Sequence, residues 1–230
     1  KRYIMRLTLS IEEGEEVFIS KKHQKINDLC AIIYDQLTEI YIEKNYKNLL
    51  KTEIITKEHQ KFIDELNAGD IHALDYLKAN NLDHEIELII SKHIFLAVTS
   101  DLINFLFESL HCAKRGKMTV AYSLLRKPFL DELFILEQLL VDRTDFVKRF
   151  FHDGNPEKYD PSNPKIDKKE IIEKAISKIR FNYFYDVDLI YDLRYNKSFE
   201  SGINSSTNQA LHIVTKDKNY KTNEQNLKFV

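Results

Sequence analysis

The stretch DHEIELIISKHIFLAVTSDLINFLFESLHCAK, Asp83 to Lys114, decides the fold. It holds no proline and no glycine, and from Ile94 to Leu110 it is apolar on nearly every side of a helical period. Asp83 is placed to cap its start, and Gly116 follows at its end. A helix that is apolar almost all round is one that other helices cover. Asp101, Asn104 and Glu108 make the run too polar, and it is too short, to cross a bilayer, which takes about 20 apolar residues. No membrane partner is expected.

Working outward, the first 127 residues contain no proline, which favours long helices. Ser20 is placed to cap a helix running to about Leu50, with Ile26, Leu29, Cys30, Ile33, Leu37, Ile40 and Tyr41 on one apolar face. Thr56 begins a shorter helix that Gly69 ends, and Asp70 caps another through about Ala79. Met118 to Val141 reads as a helix kinked at Pro128, whose missing amide frees the carbonyl of Leu124. Asp142 or Thr144 caps a short helix through about Phe151. Asp153 to Ile166 holds the other three prolines and reads as a loop that links or flaps. Asp167 and Glu170 have the spacing of a capping box before the helix that carries Ile171, Ile172, Ala175, Ile176 and Ile179. Phe181 to Tyr195 reads as helical and aromatic-rich, and Ser205 to Leu211 as a short helix. His212–Thr215 and Leu227–Val230 are spaced to pair as a small hairpin, so residues 203–230 form a small appendage. The expectation is one all-α, multi-helix bundle spanning residues 1–230, with a flexible loop at 153–166.

Composition narrows the function. The chain has 230 residues, with 34 basic against 36 acidic side chains, so no net charge draws it to nucleic acid or membrane. Five glycines and four prolines are too few for a sandwich or barrel. The two cysteines, Cys30 and Cys112, lie in apolar helical contexts outside any CxxC pair, and residues 1–20 lack a leader's apolar run. Both observations suit a reducing cytoplasm. Glycine-rich phosphate loops, HExxH, zinc spacings and GxSxG are all absent, and no cofactor or metal is expected.

Four features carry chemistry. His93, Asn104, Glu108 and His111 fall on one stripe of the Asp83–Lys114 helix, either a polar seam for an acid–base pair or metal ligands, or a solvated face. The solvated face is the plainer reading. Lys114, Arg115, Lys117, Arg126 and Lys127 form a run of basic residues with no acid among them, suited to phosphate or RNA, although Lys114 and Arg115 also suit a helix C-terminus. Aromatics between Arg180 and Tyr195 alternate with acids that repel phosphate, so they read as core with satisfied hydroxyls rather than as a base-stacking platform. Arg194 and His212 can work as a pair, His212 moving a proton and Arg194 steadying charge on a phosphorane-like centre.

Long helices followed by a late Arg and His resemble, in outline over residues 83–215, the HEPN group of small all-α proteins. That resemblance implies an RNA- or nucleotide-directed enzyme, an endoribonuclease of a bacterial defence or toxin system, with Arg194 and His212 catalytic. The group's signature separates the two by four to six residues, whereas seventeen separate them here. Every chemical feature also has a structural explanation, so the leading expectation is a non-catalytic helical interaction or regulatory module. Its partner is another protein or a second copy of the chain, because long amphipathic helices such as Ser20–Leu50 often pair beyond one chain.

Overall fold

The computed structural model describes residues 8–52, 59–69 and 72–211. Among them the chain is all-α, with no strand. The elements are α1 (Lys21–Ile42), α2 (Lys44–Leu50), α3 (His59–Ala68), α4 (Ala73–Ala79), α5 (Asp83–Lys114), α6 (Met118–Arg126), α7 (Leu133–Val141), α8 (Arg143–Val147), α9 (Lys168–Ser177), α10 (Val187–Tyr195) and α11 (Ile203–Leu211). The proposed terminal hairpin lies outside the described residues, as do Thr56 and Asp70, the residues expected to begin two helices.

Helix α5 forms over the expected span, Asp83–Lys114. Asp83 and Glu85 sit in its first turn, where the helix dipole favours acids. Gly116, at φ 72°, reverses the chain after it, and the Lys117 amide bonds back to the Cys112 carbonyl. Helices α1, α4, α6, α7 and α8 all pack against α5. Its first half joins Tyr76, Leu77, Leu139, Phe146 and Val147 through Ile86, Ile90 and Ile94. Its second half joins Leu9, Ala31 and Tyr34 through Leu102 and Ile103.

Three expectations change. First, the helix expected over Ser20–Leu50 breaks at Glu43, whose backbone is extended (φ −67°, ψ 129°). The face that α1 buries is Asn27, Ala31 and Tyr34, so Ile26, Leu29 and Ile33 are left in solvent. Second, α4 is capped by the His72 side chain, which accepts from the Leu74 amide.

Third, Pro128 does not simply kink a helix. Residues Lys127–Glu132 widen into a π-helical turn between α6 and α7. The Leu133 amide bonds to the Pro128 carbonyl, five residues back. The Phe129 carbonyl, the usual partner of that amide, instead accepts from Arg194 Nε at 2.8 Å. The neighbouring Leu130 carbonyl accepts from the Tyr195 hydroxyl at 3.0 Å. Helix α10 is thereby pinned across the widened turn.

The 153–166 loop is anchored at its start. Buried Gln138 donates to the Tyr159 carbonyl, and Arg149 donates to the Lys158 carbonyl. The rings of Phe146, Phe150 and Tyr159 pack together beneath it. Half of the expected capping box forms at α9: Asp167 accepts from the Glu170 amide, while the Glu170 carboxylate pairs with Lys174.

Candidate functional site: cavities around the π turn

The residues singled out in sequence that the structure describes do not converge on one site. Arg194 is 3% exposed. Its guanidinium donates to Glu137 Oε1 at 2.5 Å, to the Phe129 carbonyl and to the Tyr195 hydroxyl. Burial pushes the Glu137 carboxyl up and the Arg194 charge opposes that shift. Arg194 thus clamps α10 to α7 and the π turn, and it lines none of the cavities described below. His212 lies outside the described residues.

The stripe on α5 is solvated. His93, Asn104 and Glu108 are exposed, and half-buried His111 stacks on Phe107 with ring centres 5.8 Å apart. The polar-seam reading is corrected for a physical reason: α5 is central, but its neighbours leave this one face open. Among the described residues, no cluster of three or more His, Cys, Asp or Glu could hold a metal ion.

The basic run disperses. Lys114 pairs with Glu15 at 2.8 Å and donates to the Ser10 carbonyl. Lys127 pairs with Asp101 and lies 3.2 Å from Glu132 Oε1, its ammonium over the Phe105 ring. Arg115 and Lys117 remain exposed at the α5–α6 turn. Arg126 lines the larger of two cavities beside the π turn and Lys127 the smaller, so even these two neighbours part.

Two cavities flank the π turn and share Asp131 and Pro161 as lining. The smaller, about 350 Å³, is lined by Ala97, Val98 and Ile135 together with Asp101, Lys127 and Glu132. Glu132 is 6% exposed, and among the described residues its carboxylate oxygens accept no well-aligned hydrogen bond, the Lys127 ammonium standing 3.2 Å from Oε1. Burial, helped by nearby Asp101 and opposed by Lys127, pushes its pKa up to about 7. Lys127 in turn holds Asp101 below the usual carboxylate range.

The larger cavity, about 870 Å³, lies between the end of α6, the π turn, the loop before α9 and the end of α10. Prolines 161 and 164 wall one side, so the proline-rich loop contributes to a site after all. Sequence reading missed its other residues, among them Asp131, Lys168, Tyr191 and Tyr195. One signal was available: an Asp-Glu pair inside the apolar run Phe129–Ile135, directly after a mid-helix proline. π-turns of this kind recur at functional sites because they re-aim side chains out of helical register.

A different surface lies on α1. Ile26, Leu29 and Ile33 are 57%, 55% and 49% exposed. A cavity of about 580 Å³ runs beside this row, between α1 and α6, lined by Phe18, Ile26, Cys30, Leu110, Met118 and Tyr122. The aromatic knob after α9 is also exposed: Phe181, Tyr183, Phe184 and Tyr185 stand in solvent instead of forming core. Only Tyr195, at the far end of that segment, is packed with its hydroxyl satisfied.

Fold and surfaces together define an all-α bundle with apolar surface open on α1. Among the described residues no helix is long and apolar enough to cross a membrane. Compared with known protein families, curated proteins and solved structures, the chain matches none of them.

Proposed function

We propose that the chain is a non-catalytic helical interaction module that self-associates through α1. The carrying observation is the exposed row Ile26, Leu29 and Ile33 on a 22-residue helix. Ile26, Ile33 and Ile40 recur every seventh residue, with Leu29 between the first two. That is the a/d spacing of a helix that pairs with another helix, and isoleucine at a suits a two-stranded seam. A surface helix packed only against its own domain does not need this second apolar face. The adjoining cavity against α6 gives a partner helix a groove to enter. A second copy is the partner that the regular spacing fits best, because two identical seams complement each other about a twofold axis.

The test is the molar mass of the whole chain by light scattering after size exclusion, beside Ile26→Glu/Ile33→Glu. Expected is a dimer for the native chain and a monomer with unchanged circular dichroism for the variant. A native chain that stays monomeric at tens of micromolar, or a variant that stays dimeric, contradicts the reading.

A further inference from the structure

The cavity of about 870 Å³ carries an inference independent of self-association. Five basic side chains line it, Arg126, Lys165, Lys168, Lys169 and Lys197, against two acids, Asp131 and Asp167. Several of these charges are already answered. Lys169 pairs with Asp188 at 2.5 Å. Asp167 accepts from the Glu170 amide at the start of α9. Asp131 is half-buried, and burial pushes its carboxyl up toward the neutral form.

Two interior cations are different. Arg126 Nη1 donates to the neutral Asn208 Oδ1 at 3.2 Å. Lys168 Nζ donates to the Asn163 carbonyl at 3.2 Å and faces the rings of Tyr195 and Phe134 at 5.6 and 6.0 Å. Neither forms an ion pair with a carboxylate among the described residues, although Asp131 attracts Arg126 and Asp160 attracts Lys168 at longer range. Burial also makes the Lys168 charge costly, lowering its pKa, and a bound anion would remove that cost. Lys165 and Lys197 stand exposed at the rim, where they add attraction without being pinned. Tyr191 and Tyr195 supply a ring-lined wall beside the cations.

We infer that this cavity binds a small phosphorylated molecule, its phosphate held between Arg126 and Lys168 and its carbon skeleton against Tyr191 and Tyr195. The guanidinium offers a planar pair of donors to phosphate oxygens, and the ammonium a point charge opposite. Lys165 and Lys197 raise the local anion concentration at the mouth. The occupant is small because the pocket is a concavity between helix ends, of the size that ligand sites have, rather than an extended basic surface.

The test is isothermal titration of the whole chain with inorganic pyrophosphate at low and at physiological salt. Expected is one saturable site, weakened at least tenfold by Arg126→Gln/Lys168→Gln and at least threefold by the rim variant Lys197→Glu. Arg115→Gln/Lys117→Gln, which removes two exposed cations outside the cavity, leaves the Kd within twofold. Circular dichroism confirms that each variant is folded, and Lys197→Glu keeps the test decisive if the interior pair unfolds. No binding by the native chain overturns the inference. So does equal binding by the native chain and the cavity variants. Equal weakening by the Arg115/Lys117 variant overturns it as well, since that shows diffuse attraction. Citrate is the second arm: citrate binding more tightly than pyrophosphate overturns the phosphate assignment in favour of a carboxylate.

Discussion

Arg194, singled out in sequence for its charge, is held inside the bundle by structural contacts. Its charge is buried against Glu137, and its other donors meet a carbonyl and a hydroxyl. Removing one partner of such a pair leaves an uncompensated buried charge, which costs about 3–5 kcal/mol. Arg194→Met is therefore expected to lose about that much in denaturant unfolding, and Arg194→Met/Glu137→Leu to recover at least half of it. A single variant of native stability contradicts the clamp. Glu132 makes the opposite kind of prediction. Its carboxyl titrates near 7 in the folded chain against an ordinary value of 4.5. The folded state thus holds an extra proton between those values, so stability is full at low pH and falls as pH rises toward 7. Asp101, held low by Lys127, titrates below that window. Glu132→Gln is expected to gain about 1–2 kcal/mol over the native chain at pH 8 and almost nothing at pH 4.5. A gain that does not change with pH would show that Glu132 does not titrate there.

At the scale of elements, the sequence marks helices far better than it marks what covers them. Asp83–Lys114 was legible because it has a glycine stop and no interruption, although Asp83 lies in the first turn and Leu82, not Asp83, takes the N-cap position. The capping geometry at Asp167 was legible for the same reason: it is local. The face of α1 was not. Periodicity finds the stripe Ile26–Tyr41 but carries no information on which part of it meets α5: Leu37 and Tyr41 pack there beside Ala31 and Tyr34, while Ile26, Leu29 and Ile33 do not. The π turn was half legible. Pro128 announces a lost amide, but the widened ladder depends on Arg194 and Tyr195, more than sixty residues later, taking up the carbonyls of Phe129 and Leu130. Four of the five cavity cations escaped notice because they come from three separate segments, the loop before α9, α9 itself and the chain after α10; only Arg126 lay in a basic run. Gly202, at the start of α11, tests the packing between elements. A Cβ there would lie 3.0 Å from the Phe199 carbonyl oxygen and 3.2 Å from that of Leu193. Gly202→Ala is expected to cost about 1–2 kcal/mol in chemical unfolding, and a neutral result would mean that α10 and α11 are free to separate.

For the whole molecule, the central rod organises everything else. Two apolar clusters share α5, the π turn fastens α10 onto α7, and the cavities open where helix ends meet. Among the described residues the bundle leaves open the aromatic knob after α9 and the outer face of α1, and the second of these has the spacing of a helix seam. Ile33 is the midpoint of the Ile26–Ile40 seam, so two copies paired in parallel register, or antiparallel about the seam's centre, bring their Ile33 residues close together. The most direct measurement attaches a nitroxide spin label at Ile33→Cys in a Cys30→Ser/Cys112→Ser background and reads the distance between labels. Helices packed 8–10 Å apart predict a label separation of roughly 10–25 Å, abolished by dilution with unlabelled chain. Labels that show no dipolar coupling at tens of micromolar would contradict pairing through α1.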